Sequence, residues 1–205
     1  MEIDYKKYRA AYFSMEIAAD PEMKNYAGGL GVLAGDLLRA AADASLPIVG
    51  VTLLHDLGYL EQIIDAQGRQ QEGLVDFNLD KLEKLPMKVP VEIGSENIKV
   101  AVWRYLLRGL SGHIVPVFFL DTNLEENPFA SREITRRLYR GDAARRLEQE
   151  IVLGRGGARL LEALGCSGLR KFYLNEGHAS LAAIELFLKS QATDDNSRLE
   201  EVRQK

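Results

Sequence analysis

Four groups of polar residues stand where this chain could do chemistry: Glu16, the pair His55-Asp56, Asp142, and Glu176 with His178. A fifth stretch suits an anion: Tyr26-Ala27-Gly28-Gly29-Leu30-Gly31-Val32-Leu33-Ala34-Gly35-Asp36. Its glycines are expected to permit positive φ and close approach of a ligand. The residues that follow read as a helix, and a helix start offers unpaired N–H groups and partial positive charge to a phosphate. Together the five suit a site for a sugar phosphate or a nucleotide sugar. Each also has an ordinary explanation. The glycines can serve packing alone, Glu16 can be a solvated loop acid, and His55-Asp56 an exposed turn pair. Asp142 can be a helix cap, and His178 can simply bond a nearby carbonyl. The three histidines, His55, His113 and His178, are far apart and lack metal-ligand spacing. No nucleophile elbow and no Walker-type lysine is present.

The elements that would position these residues follow from pattern. Tyr8 to Met15 reads as a strand with Glu16 directly after it. The glycine turn opens a helix ending near Ser45, with Leu30, Leu33, Leu37, Leu38, Ala41 and Ala44 as its apolar face. Ile48 to Leu54 is apolar throughout, as in a parallel strand buried on both sides. Strand, glycine turn, helix and strand form a βαβ unit, which places the turn at the carboxyl edge of the sheet. The middle is β-rich: a hairpin about Asp65-Ala66-Gln67-Gly68-Arg69, a second about Gly94-Ser95-Glu96-Asn97, and a strand from His113 to Leu120. Pro116 suits an edge or a bulge there. Ser131 to Leu138 reads as a short helix capped by Ser131, and Asp142 caps the next. That long helix, about Ala143 to Leu164, is expected to bury Leu147, Ile151, Gly154, Ala158 and Leu161. Glycines at 154, 156 and 157 are costly inside a helix, which implies a close neighbour. Leu169 to Leu174 is a strand, Asn175-Glu176-Gly177-His178 is the turn at its end, and Ala179 to Leu188 is helical. The polar stretch from Ser190 is expected to be a frayed helix or a disordered end.

The chain has 205 residues, nearly half of them apolar, and a formal net charge of −4. Basic residues are not interleaved with aromatics, which argues against a nucleic-acid partner. Apolar runs are strand-sized, too short to span a bilayer. The single cysteine, Cys166, excludes an internal disulfide and reads best as a small apolar filler. The start, Met1-Glu2-Ile3-Asp4, lacks a signal-peptide pattern. A soluble cytoplasmic protein without a membrane partner is expected.

Several blocks then carry a resemblance. They are Tyr12-Phe13-Ser14-Met15-Glu16; Tyr26 to Asp36; Val49-Gly50-Val51 through Gly58-Tyr59 and Gln62; Arg137-Leu138-Tyr139-Arg140-Gly141-Asp142; Arg146-Leu147-Glu148-Gln149-Glu150 with Gly154 and Gly157; and Leu174-Asn175-Glu176-Gly177-His178-Ala179. In this order, up to about residue 188, the chain resembles the N-terminal part of an α-glucan phosphorylase of the short prokaryotic type. The resemblance implies an α/β fold: an incomplete Rossmann-like N-terminal domain of a two-domain, B-type glycosyltransferase fold. Residues 1–189 would form the partial domain, with a β-rich insertion or extension about 59–120 and a polar tail at 190–205. It implies phosphorolysis of terminal α-1,4-linked glucose in an α-glucan by inorganic phosphate, giving α-glucose 1-phosphate. Pyridoxal phosphate would be the cofactor and a homodimer a candidate assembly. Gly29, Leu30 and Gly31 would offer N–H groups to the phosphate of substrate or cofactor. Glu16 would lie beside the cofactor and glucose pocket, Asp142 on a loop gating the cleft, and Glu176 and His178 along the sugar side.

His55 stands where this family usually has Tyr. The family's cofactor lysine, its basic phosphate-binding cluster and its catalytic histidine are not in this chain, so the chain alone is expected to be inactive. Two other readings remain: the N-terminal domain of a glycogen or starch synthase, and a non-catalytic glucan-binding module. A synthase would want a basic residue just before the glycines, where Ala27 stands.

Overall fold

The computed structural model describes residues 3–73, 75, 77–139 and 141–205. Met1 and Glu2 of the acidic start, and Arg140 of the block from Arg137 to Asp142, lie outside the described residues. The chain builds a six-stranded sheet in the order β5-β6-β7-β2-β1-β8. Its strands are β1 (Ala10–Phe13), β2 (Ile48–Leu53), β5 (Glu83–Ile93), β6 (Glu96–Arg108), β7 (Ile114–Asp121) and β8 (Lys171–Leu174). β1 runs parallel to both β2 and β8, with Ala10 opposite Ile48 and Lys171. β2 runs parallel to β7, and β5, β6 and β7 are joined antiparallel. All six residues of β2 are buried, as their apolar run, interrupted only by Thr52, predicts. A separate antiparallel pair, β3 (Glu61–Ile64) and β4 (Gln70–Gly73), makes the first predicted hairpin.

Both faces of the sheet are covered, and successive side chains divide between them. Phe118 and Leu120 join Phe13, Val51, Leu153 and Leu160 on one face. Val117 and Phe119 join Tyr12, Leu38 and Ile48 on the other, beneath helix α1 (Gly29–Asp43). Burying one such large side chain contributes roughly 1.5–3 kcal/mol. Cys166 is buried in the first cluster, and burial pushes its thiol up to about 12.

The structure corrects several expectations. α1 turns Gly31, Ala34, Gly35, Leu38, Ala41 and Ala42 inward, while Leu33 is 59% exposed and Leu37 38%. The helix lies too close to the Ala18 carbonyl to admit even a Cβ at Gly35, so small residues together with Leu38 set its inner face. β7 is interior rather than an edge strand. Pro116 is tolerated because the β2 ladder begins one residue later, at Val117. Of the two forms expected for the β-rich middle, insertion or extension, β5, β6 and β7 take the second and continue the central sheet, while β3 and β4 form a separate pair. The helix placed over Ser131 to Leu138 is a single turn, α2 (Phe129–Arg132), preceded by Pro128. The long helix consists of α3 (Ala143–Ile151), a π-helical segment (Val152–Gly156) and α4 (Gly157–Ala163). Leu147 is 51% exposed instead of buried. α5 (Leu181–Lys189) begins against Gly154 of this helix, while Gly157 lies against Phe13 and Val51 of the sheet. The stretch expected to fray holds a helix, α6 (Asp195–Gln204), whose end is tied to β8 by the Phe172 N–H donating to the Lys205 carbonyl at 2.7 Å.

Candidate functional site

Because β7, β2, β1 and β8 are parallel, their carboxyl ends share one edge of the sheet. Glu16, His55, Thr122 and Asn175 to His178 all follow those ends. The turns are fastened to one another. Asn175 donates through its backbone N–H to the Phe13 carbonyl at 2.9 Å and through Nδ2 to Ser14 Oγ at 3.1 Å. Ser14 Oγ in turn donates to the Glu16 carbonyl at 2.7 Å.

Glu16 is 2% exposed, so it is not a solvated loop acid. Its Oε2 accepts the N–H of Ala27 at 2.5 Å and its Oε1 accepts the hydroxyl of Tyr139 at 2.9 Å. A Cβ on Gly31 would stand 2.9 Å from Glu16 Oε2, so glycine is what lets this carboxyl group lie under the start of α1. Gly28 and Gly29 are open, with nothing within 4 Å of a Cβ on either. Contrary to expectation, none of Gly28, Gly29 and Gly31 has positive φ. Gly28, with φ −168°, makes no side-chain cap for α1. The helix start therefore presents N–H groups beside open space, the geometry an anion requires.

Tyr139 is the hub that sequence reasoning missed. It holds left-handed backbone, φ 54°. Its ring centroid lies 6.4 Å from that of Tyr59 and 6.0 Å from that of His178. The Arg146 guanidinium sits over it at 5.1 Å. Burial first, and then the acceptor Glu16, push its hydroxyl far above the ordinary tyrosine range, so it remains a donor. The available signal was a large aromatic residue just ahead of the helix break at Gly141-Asp142, which capping does not explain.

Around Tyr139 the structure gathers Glu16 and the Gly29–Gly31 turn on one side and Glu176 and His178 on another. Glu176 is close enough to help raise the Tyr139 pKa. His178 Nδ1 is buried without a hydrogen-bond partner. Asp142 stands apart: it is exposed and caps α3 by accepting the Arg145 N–H at 3.0 Å. His55 is fully buried, so the exposed-turn reading of His55-Asp56 fails. Asp56 bonds Arg136 at 3.2 Å, and Arg136 also meets Glu133 at 2.9 Å.

Glu176 carries visible strain, with φ 57° and ψ −173°, a region essentially reserved for glycine. Such strain costs about 1–3 kcal/mol. Glycine's greater freedom in the unfolded chain takes back about 0.5–1 kcal/mol, so Glu176→Gly is expected to gain about 1 kcal/mol and raise the thermal unfolding midpoint by about 2–4 °C. A midpoint that falls would mean that contacts of the carboxyl group outweigh the strain.

Among the described residues no group of three or more His, Cys, Asp or Glu side chains could hold a metal ion. No described helix is long and apolar enough to cross a membrane. A cavity of about 500 Å³ lies away from this edge, between α4, α5 and α6, lined by Leu161, Cys166, Phe172 and Val202.

Fold and site define a mixed α/β domain whose polar residues converge at the carboxyl edge of a mostly parallel sheet. No protein-family model matches the chain. It is 37% identical over 214 residues to a glycogen phosphorylase of Aquifex aeolicus, covering 98% of this chain and 30% of that protein. It is 36% identical over 188 residues to a glycogen phosphorylase of Mycobacterium tuberculosis, covering 85% of this chain and 21% of that protein. An uncharacterized protein of Methanocaldococcus jannaschii is 38% identical over 168 residues, covering 82% of this chain and 32% of that one. The chain is thus related to the glycogen phosphorylases, matching an N-terminal part of such a protein. It spans about a fifth to a third of the length of these relatives.

Proposed function

We propose that this chain is the N-terminal portion of an α-glucan phosphorylase and forms one wall of its phosphate and sugar cleft. The observation that carries the reading is the open helix start at Gly28-Gly29, with Glu16 and Tyr139 packed against it, in a chain related to glycogen phosphorylases. Gly29, Leu30 and Gly31 supply N–H dipoles for a phosphate, fixed in place before reaction and aimed where negative charge gathers. Glu16 holds the glycine turn through Ala27 rather than acting on substrate directly. Glu176 and His178 border the sugar side, and Asp142, on the exposed turn, stands at the mouth. The fold is the incomplete Rossmann-like half of a two-domain glycosyltransferase.

Pyridoxal phosphate is the cofactor this reading implies. The uncapped helix start fits its phosphate, which supplies a proton-carrying group when bound. Gly29, Leu30 and Gly31 are the residues proposed to face it. The lysine that would attach it is not in this sequence, so the isolated chain is inactive. The purified 205-residue chain, incubated with glycogen and inorganic phosphate, is expected to release no glucose 1-phosphate. Release above a heat-denatured control would overturn the reading of incompleteness. Chemical-shift changes confined to the amides of Gly28 to Gly31 on addition of inorganic phosphate would support the cradle, and their absence would refute it.

A further inference from the structure

His55 has no part in the function proposed above, yet its place in the fold is unusual. Its imidazole is fully buried, with Nδ1 2.6 Å from the Thr135 carbonyl oxygen and Nε2 3.0 Å from that of Met15. Its backbone N–H donates to Asn25 Oδ1 at 2.8 Å. The three segments so joined are those that build the site. Met15 precedes Glu16, Asn25 leads into the glycine turn, and Thr135 leads into Tyr139.

We propose that His55 is a positioning residue whose protonation sets how tightly the Glu16, glycine-turn and Tyr139 segments are tied together. A neutral imidazole carries one N–H and one bare nitrogen, so it can donate to only one of two carbonyl oxygens. In the proposed neutral clamp that hydrogen sits on Nδ1, facing the nearer oxygen, that of Thr135. The Met15 oxygen keeps another donor, the Thr52 hydroxyl at 3.2 Å. A proton added at Nε2 creates a second donated bond and draws the Met15 carbonyl, and with it Glu16, toward the ring. Complete burial opposes that charge and holds the ring below the usual histidine range. Asp56 favours the charge, although Arg136 already engages its carboxyl group, and Arg136 also engages Glu133. Glu16 is the other acidic group next to the clamp, one residue beyond Met15. The neutral clamp therefore holds one end and the charged clamp holds both.

The sign of the linkage follows from the lowered native pKa. The unfolded chain takes the proton first as pH falls below about 6.5. Stability is full above that value and is lost as pH falls toward the native midpoint, by up to about tenfold in the folding constant per pH unit.

The test uses the whole chain and no substrate, so failure of glucan phosphorolysis leaves it untouched. The ring nitrogens of His55 and the amides of Glu16, Ala27 and Tyr139 are followed by NMR from about pH 7.5 to about pH 4.5. One shared midpoint below about 6.5 is expected for the ring and the three amides. A ring that does not titrate in that range, or amides that move with a different midpoint, would overturn the proposal. In His55→Gln, which cannot titrate, the expected result is a shallower loss of the folding constant with acid than in the parent chain. Equal slopes would reduce His55 to a structural filler. Should that variant fail to fold, the titration of the parent chain decides the matter alone.

Discussion

Replacing Glu16 by alanine is expected to lower the midpoint of thermal unfolding by about 5–15 °C. The carboxyl group is buried and accepts from two donors, Ala27 N–H and Tyr139 O–H. Truncation leaves the Tyr139 hydroxyl without its acceptor in a buried setting, at about 1–3 kcal/mol. It also frees the Ala27 N–H and leaves a void under α1. Water reaches the exposed Ala27, which lessens that part of the loss. The sum is about 2–4 kcal/mol, and a domain of this size shifts by about 2–4 °C per kcal/mol. Glu16→Gln preserves the shape: its carbonyl can accept from Ala27 while its amide donates to the Tyr139 oxygen. A loss of about 1 kcal/mol or less is expected. Glu16→Ala, which removes the acceptor, should in a double-mutant cycle with Tyr139→Phe return a coupling of about 1 kcal/mol. Additive losses would mean that the hydrogen bond between the two contributes nothing.

The second large effect is steric. Gly154→Ala would place a methyl group 2.6 Å from the Ala182 nitrogen and 2.8 Å from the Leu181 carbonyl carbon. Both obstacles are backbone at the start of α5, which cannot rotate away. Overpacking of this kind costs about 3 kcal/mol, against a gain of about 1 kcal/mol from replacing glycine within a helix. A net loss of about 2 kcal/mol, or about 4–8 °C, is expected by calorimetry or circular dichroism. Gly156→Ala is the matched control. Its methyl would meet Val91 Cγ2 at 3.2 Å, the tip of a side chain that can yield. That variant should unfold at the parent temperature or slightly above it. Equal losses in the two would show that helix packing at Gly154 is looser than the geometry implies.

These two sites also show what sequence can and cannot reveal. Glycines in the middle of a helix pattern announce a close neighbour, and α5 is that neighbour at Gly154. The βαβ unit, both hairpins and the Asp142 cap were legible because each depends on chemistry within a few residues. What failed depends on partners far along the chain. The leucines of α1 form a convincing stripe, but the approach of the Ala18 carbonyl selects the face of Gly35 and Ala34. Leu147 lies before the π-helical segment, whose wider turns shift the face of everything ahead of it. A single helical period drawn from Leu147 to Leu161 therefore crosses from one face to another. Within the site, Glu16 and the glycine turn were visible as chemistry beside a strand end. Tyr139 and His55 were not, since nothing local shows that a tyrosine reaches a carboxyl group 123 residues away in sequence. Nor does anything local show that a histidine spans two remote carbonyls.

The placement of β8 has a consequence for the chain as it is made. β1 finds β2 after a short crossover, but its other neighbour, β8, is translated about 160 residues later. At about 5–20 residues per second, the wait is roughly 8–30 s. Throughout that interval one side of β1 is a bare row of N–H and C=O groups, and Phe13 lacks the stacked ring of Phe172 at 5.9 Å. β1 is thus made well before its pairing is completed, and during that interval the chain is most open to mispairing along that side.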